Sequence, residues 1–246
     1  MHTSSWVLVL LATLPLGAMA GCVGKAPPAP PAGFASTEGM HHNPALPFHR
    51  VWRDPSFDWR ACRFIRIAEV DTGYLLEHTW WQGFGRGSKA HADAVELAVE
   101  FRQRVIEAFR NDPQHRLTVV DSVAPGAKTL ELELAIVELV PHKALIQALT
   151  YPAGPFGILA RQSMDRAGAT SIAMEGRVRD AATGRVIAKV ADREQKKAGL
   201  INIKNFTWYA HVREIIDEWA TQFRQVANKA PDDVVPDTPA FRLLPW

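Results

Sequence analysis

Cysteine is scarce in this chain: Cys22 and Cys62 are the two among 246 residues. Two thiols build neither a disulfide scaffold nor a zinc site of four thiolates. A surplus of one charge is missing as well. Lys and Arg total 28 against 26 for Asp and Glu, a net charge of +2. That balance argues against the concentrated basic face that nucleic-acid binding needs. The apolar run near the N-terminus, Trp6 to Ala12 followed by Leu14-Pro15-Leu16, falls short of the roughly 20 residues that span a bilayer. The 17 prolines and 16 glycines keep no triplet period, which excludes collagen. With 47% hydrophobic and 22% charged residues, the chain has the composition of a globular protein and not of a disordered one.

The short apolar run is followed by Ala18-Met19-Ala20-Gly21-Cys22. Small residues after such a run read as an export cleavage site. Gly21-Cys22 is similar to the lipobox of bacterial lipoproteins, in which the cysteine is acylated and becomes the mature N-terminus. Met19 stands where that motif prefers Leu, and Met1 to Ser5 contain no Lys or Arg. A rival cut, after Ala18-Met19-Ala20, follows ordinary signal-peptidase logic. Residues 1–21 are thus expected to be a lipoprotein signal and Cys22 the lipidation site. Each buried methylene adds about 0.8 kcal/mol, so several acyl chains anchor firmly. Position 23 is Val rather than the Asp that retains enteric lipoproteins in the inner membrane. The expected address is therefore the outer membrane, facing the periplasm.

Pro27, Pro28, Pro30 and Pro31 make 22–47 read as an extended tether. His41-His42, with His49 later, lacks the supporting shell of a metal site, so no metal is expected. The folded domain is expected over 48–228, and 229–246 as an extended tail carrying Phe241, Leu243 and Trp246. Within the domain, 63–70 alternates as a strand does. A helix follows from Ser88 to about Arg110, with Ala94, Ala98, Phe101, Val105 and Phe109 on one stripe. Leu117 to Val120 and Thr129 to Ile136 read as strands, with a phase break at Val137-Glu138-Leu139 that marks a bulge or a strand end. Ser171 to Arg179 and Arg185 to Asp192 form a hairpin turned at Gly184. A last helix covers about 206–228, with Trp208, Val212, Ile215, Trp219, Phe223 and Val226 in one stripe. The expected fold is α+β: a mainly antiparallel sheet of about five strands with two amphipathic helices on one face, in the order strand-helix-strand-strand-strand-strand-helix.

Ser171 to Glu175, Arg179-Asp180, Thr183-Gly184, Ala191-Asp192-Arg193 and Glu218-Trp219-Ala220 resemble the pattern of the bacterial lipoproteins in domain-of-unknown-function family 3313. The resemblance covers roughly 48–228. It implies an exported lipoprotein and supplies no catalytic residues.

The chemical constellations are weak. Gly83-x-Gly85-x-Gly87-Ser88-Lys89 has neither the order of a phosphate-binding loop nor the spacing of a dinucleotide fingerprint. Glu131, Glu133 and Glu138 read as a solvated strand face. Asp192-Arg193-Glu194 reads as a charged strand end. Cys62, between Arg60 and Arg63, reads as a small buried hydrophobe, because a catalytic thiol needs a base. No nucleophile elbow or zinc-protease motif occurs. The expectation is therefore a non-enzyme without a cofactor, anchored to the membrane by lipid and acting on a protein partner. Trp80, Trp81 and Phe84 are the candidate contact residues. The alternative is a small-ligand or lipid carrier that uses the apolar stretch 141–169; a hydrolase ranks last.

Cys22 is predicted to be acylated. The intact mass of the mature protein should exceed that of the unmodified chain from Cys22 by its acyl groups. A mass equal to the chain starting at Gly21, with a free thiol, would sink the lipoprotein reading.

Overall fold

The computed structural model describes residues 25–77, 89–124, 126–140, 170–196 and 210–237. Strand β4, Thr129–Val140, runs through the middle of the sheet. Its side chains alternate, so Leu130, Leu132, Leu134 and Ile136 enter one core together. Ile136 stands opposite Met174 on the next strand and Glu138 opposite Ala173, which leaves Val137 as the extra residue of a bulge. The bulge returns Leu139 to the same core. β5 (Thr170–Asp180) and β6 (Val186–Lys196) form the hairpin that the sequence announces. Gly184 takes φ +71° in its turn, a conformation that costs glycine little.

The sheet differs from expectation in strand number and pairing. β1 (Arg50–Arg53), β2 (Phe64–Ile67) and β3 (Thr118–Val119) complete a six-stranded sheet in the order β1-β6-β5-β4-β2-β3. β1, β6, β5 and β4 pair antiparallel, whereas β2 lies parallel to both β4 and β3. The fold is α+β as expected, but the sheet is mixed and mostly antiparallel. An additional strand precedes the expected series. Parallel neighbours need a crossover, and helix α1, Lys89–Arg110, supplies it between β2 and β3. β1 escapes detection because it has four residues and only Val51 is buried on it.

Helix α2, Ala210–Asn228, packs beside α1 over one face of the sheet. The stripes meet there: Ala94, Leu97, Phe101, Val105 and Phe109 from α1, and Val212, Ile215, Trp219 and Phe223 from α2. Trp219 is fully buried and stacks on Phe101 at 5.7 Å between ring centroids. No helix among the described residues is long and apolar enough to cross a membrane.

The opposite face carries the main correction. The described part of the expected tether, residues 25–47, lies across the sheet as its second cover. Phe34 and Ala35 are buried in a small cluster with Ala135, Val137 and Ala173. The Glu175 carboxylate accepts the backbone N–H groups of Ala32 (2.7 Å) and Ala35 (2.8 Å). Arg177 stacks on the Phe34 ring and donates to the Phe34 carbonyl. Pro27, Pro28, Pro30 and Pro31 stay exposed on the outer side of this segment, and the one Glu175 carboxylate takes the N–H groups of Ala32 and Ala35 on the side toward the sheet. The described tail behaves likewise: Val235 is buried and its N–H donates to the Ala45 carbonyl. Ser88, Trp208, Phe241, Leu243, Trp246 and the stretch 141–169 lie outside the described residues.

Truncating a buried Trp costs about 3–5 kcal/mol, against a total of about 5–15 kcal/mol for a whole domain. Trp219→Ala should therefore lower the denaturant midpoint strongly, and exposed Glu214→Ala should barely move it. An unchanged midpoint with loss of a partner interaction would make this helix face an interface instead of core.

Candidate functional site

Two polar arrangements stand out, and they do different things. The first is a buried charge cluster at one end of β6. Residues 190, 192 and 194 share the helix-facing side of that strand, so Asp192 and Glu194 follow Val190 inward. Asp192 is 2% exposed. Its carboxylate accepts from Trp219 Nε1 (2.8 Å), from the His49 backbone N–H (3.0 Å) and from Lys25 Nζ (2.9 Å), with His49 Nδ1 at 2.6 Å. Lys25 Nζ also reaches Glu194 (2.9 Å) and Asp237 (3.2 Å). Burial pushes the Asp192 carboxyl up, but the hydrogen bonds and charges of His49 and Lys25 outweigh it and hold the carboxyl below its ordinary value. Burial and the Asp192 charge push Glu194 up to about 8, with Lys25 pulling it back only in part. The space beside His49 and Asp192 is about 10 Å³, room for no more than a water molecule. This cluster ties elements together and has no room for a substrate.

The second arrangement is a cleft of about 600 Å³, lined from the helix-covered face and, through Trp52, Arg177 and Lys189, from the side of the N-terminal cover. Its floor is sheet: Leu130, Leu132, Val178 and Val190. Phe109, Phe223 and Val226 form the helical wall, and Phe48 closes a side. At the rim stand Arg53, Arg60 and Arg116, with Trp59 between them. Arg53 lies over the Trp59 ring at 4.9 Å, and Arg116 donates to the Trp59 carbonyl at 2.7 Å. Among the described residues, none of these three guanidinium groups is in ion-pair reach of a carboxylate. The nearby acids are engaged elsewhere: Asp54 pairs with Arg185 at 3.0 Å, and Asp58 accepts the Arg60 backbone N–H at 3.1 Å. Partial burial, then the charge of Arg116, holds Arg53 below its usual value. The Trp59 ring nitrogen is buried without a hydrogen-bond partner.

The residues singled out from sequence meet mixed ends. Cys22, Trp80, Trp81, Phe84 and the glycine run 83–87 lie outside the described residues. Cys62 is free and 1% exposed, and burial and then the Asp180 charge push its thiol up, as for a small buried hydrophobe. Glu131 pairs with Arg66, and Glu133 with Arg177 and Arg179. Glu138 is buried and accepts from Ser171 (2.7 Å) and Arg193 (2.8 Å), so these acids form ion pairs and not the solvated face expected of them. Asp192 and Glu194 were legible as inward-facing, because they share the parity of Val190; the run of charge around them hides it. No group of three or more potential metal ligands occurs among the described residues.

Among the described residues the architecture defines an α+β domain whose six-stranded mixed sheet carries two α-helices on one face. The family model of DUF3313, described as a protein of unknown function, matches residues 30–223, and the chain belongs to that family. The match takes in residues 30–47 of the N-terminal cover. No curated protein matches the chain. Among solved structures, the chain is distantly similar to the PelC dodecamer from Paraburkholderia phytofirmans. That likeness has 7% identity and a TM-score of 0.38, over 70% of this chain and 96% of that one. A Xanthomonas campestris protein with a DUF330 family model is similar at 12% identity and a TM-score of 0.40, over 73% of this chain and 90% of that one.

Glu194 gives a signed pH prediction. Between its ordinary 4.5 and about 8 the folded state holds a proton that the unfolded chain has released. Stability from this group therefore falls as pH rises through that window. Asp192, depressed, acts oppositely and loses its contribution in acid below about its ordinary 3.8. Glu194→Gln should flatten the decline in denaturant midpoint between the two ends of the Glu194 window. An equal slope in both proteins would show that Glu194 does not hold that proton.

Proposed function

We propose that this chain is an exported, lipid-anchored, non-catalytic protein of the bacterial cell envelope, whose domain works as a binding module for a small apolar or amphiphilic ligand. The cleft carries the binding half of this reading. Its volume falls in the roughly 300–1,000 Å³ range of small-molecule sites, and its wall is apolar with a few polar groups gathered at one rim. On this reading the ligand lies between sheet and helices.

The anchor half rests on Gly21-Cys22 and the apolar run before it. Lys25, bound into the fold through Asp192 and Glu194, stands three positions after Cys22. Three residues reach about 10 Å. An acylated Cys22 would hold the domain against the membrane surface, most simply the periplasmic side of the outer membrane. A protein accessory acting through Trp80, Trp81 and Phe84 is the second reading, motivated by aromatic residues in a glycine-rich stretch.

The test uses the full chain extracted from membranes and a photoactivatable long-chain alcohol as probe. The probe should label the cleft saturably, at peptides containing Leu130, Val178 or Phe223. Ala188→Phe, which adds bulk to the floor, should weaken labelling at least about tenfold. Unsaturable or scattered labelling would remove the binding module. Capture of a stoichiometric protein partner, lost on substitution of Trp80 and Trp81, would favour the accessory instead.

A further inference from the structure

The rim of the cleft has a chemistry that its floor does not explain. Arg53 and Arg116 stand close enough for one charge to act on the other. Arg60 adds a third cation, and no described carboxylate pairs with any of them. Like charges gathered without a counter-ion are a standing cost, and an anion relieves it. Arginine presents a planar fork of donors suited to carboxylate and phosphate oxygens. Trp59 links the two groups: Arg53 lies over its ring and Arg116 donates to its carbonyl.

On the reading of the cleft as a ligand site, we propose that its occupant is an amphiphile with a single hydrocarbon chain and a phosphate monoester head. The chain would lie along Leu130, Leu132, Val178 and Phe223, and the phosphate would sit at the rim on Arg53 and Arg116. Charge matching selects phosphate over a carboxylate. A phosphate monoester carries between about −1.5 and −2 at neutral pH and three strong acceptor oxygens. Two guanidinium groups offer a matching charge and donor set. A carboxylate would neutralise only one of the two arginines. Binding forms no covalent bond; the phosphate exchanges water and counter-ions for the guanidinium forks.

Three probes with the same photoactivatable chain decide the matter, on the full membrane-extracted protein. They carry a phosphate monoester, a carboxylate or a neutral hydroxyl head. The phosphate probe should label the cleft peptides at a half-saturating concentration at least tenfold below that of the alcohol, with the carboxylate between them. Arg53→Gln and Arg116→Gln should each raise the phosphate value about tenfold, and the alcohol value by much less. An unchanged denaturant midpoint shows that the variants fold. Rising salt should weaken the phosphate probe alone. If all three heads label the cleft equally, or the arginine variants have no effect, the phosphate assignment is wrong while the binding module stands. A carboxylate probe that outcompetes phosphate also overturns it. If no probe labels the cleft, the binding module itself fails.

Discussion

One carboxylate holds this fold's separate parts in register. Asp192 sits on the inward side of β6, where an unpaired charge would be expelled. It is retained because three elements supply donors to it: Trp219 from α2, His49 from the lead into β1, and Lys25 from the N-terminal segment. Each donor comes from a different stretch of chain. Breaking such a pairing leaves the remaining charge buried, which is far costlier than the pair is stabilising. The placement of α2 over the sheet, the entry of β1 and the docking of the first residues are thus mutually conditional.

The sheet in turn has two covers of unlike physics. Helices α1 and α2 bury large side chains, with Trp219 and Phe101 stacked at the centre. The other side is covered by an irregular, proline-containing segment that buries little beyond Phe34 and Ala35. Hydrogen bonds and a cation–π contact fix it there, through Glu175, Arg177 and Arg50. The bulge at Val137 suits both covers. It keeps Leu139 under the helices while Val137 enters the small cluster opposite. Gly176 marks how closely the central strands fit: a Cβ there would lie 2.8 Å from both Leu134 and Val190.

Whatever depends on a local period was readable from the chain. The leucines from 130 to 134, the hairpin around Gly184 and both helix stripes each announce themselves within a dozen or so residues. The parallel pairing of β2 was not readable, because nothing in Phe64–Ile67 specifies the direction of its neighbours. The N-terminal cover was misread for a similar reason. An extended segment docked on a sheet has no period, and its prolines look like those of a free linker. The candidate site was the least legible part. Its floor, wall and rim come from Arg53, Arg116, Leu130, Val178 and Phe223, which meet only after the sheet and helices have assembled. Asp192 shows an intermediate case, since its parity was visible and its three donors were not.

The N-terminal cover also imposes an order of events. Ala32 and Ala35 find their acceptor on Glu175, about 140 residues further along, and Lys25 finds its own on Asp192 and Glu194. A chain that emerges from its N-terminus, from the ribosome or across a membrane, holds its first segment without those acceptors until they too have emerged. The earliest residues to appear are therefore among the last to settle, and until then Ala135, Val137 and Ala173 form an uncovered apolar patch on an otherwise assembled sheet.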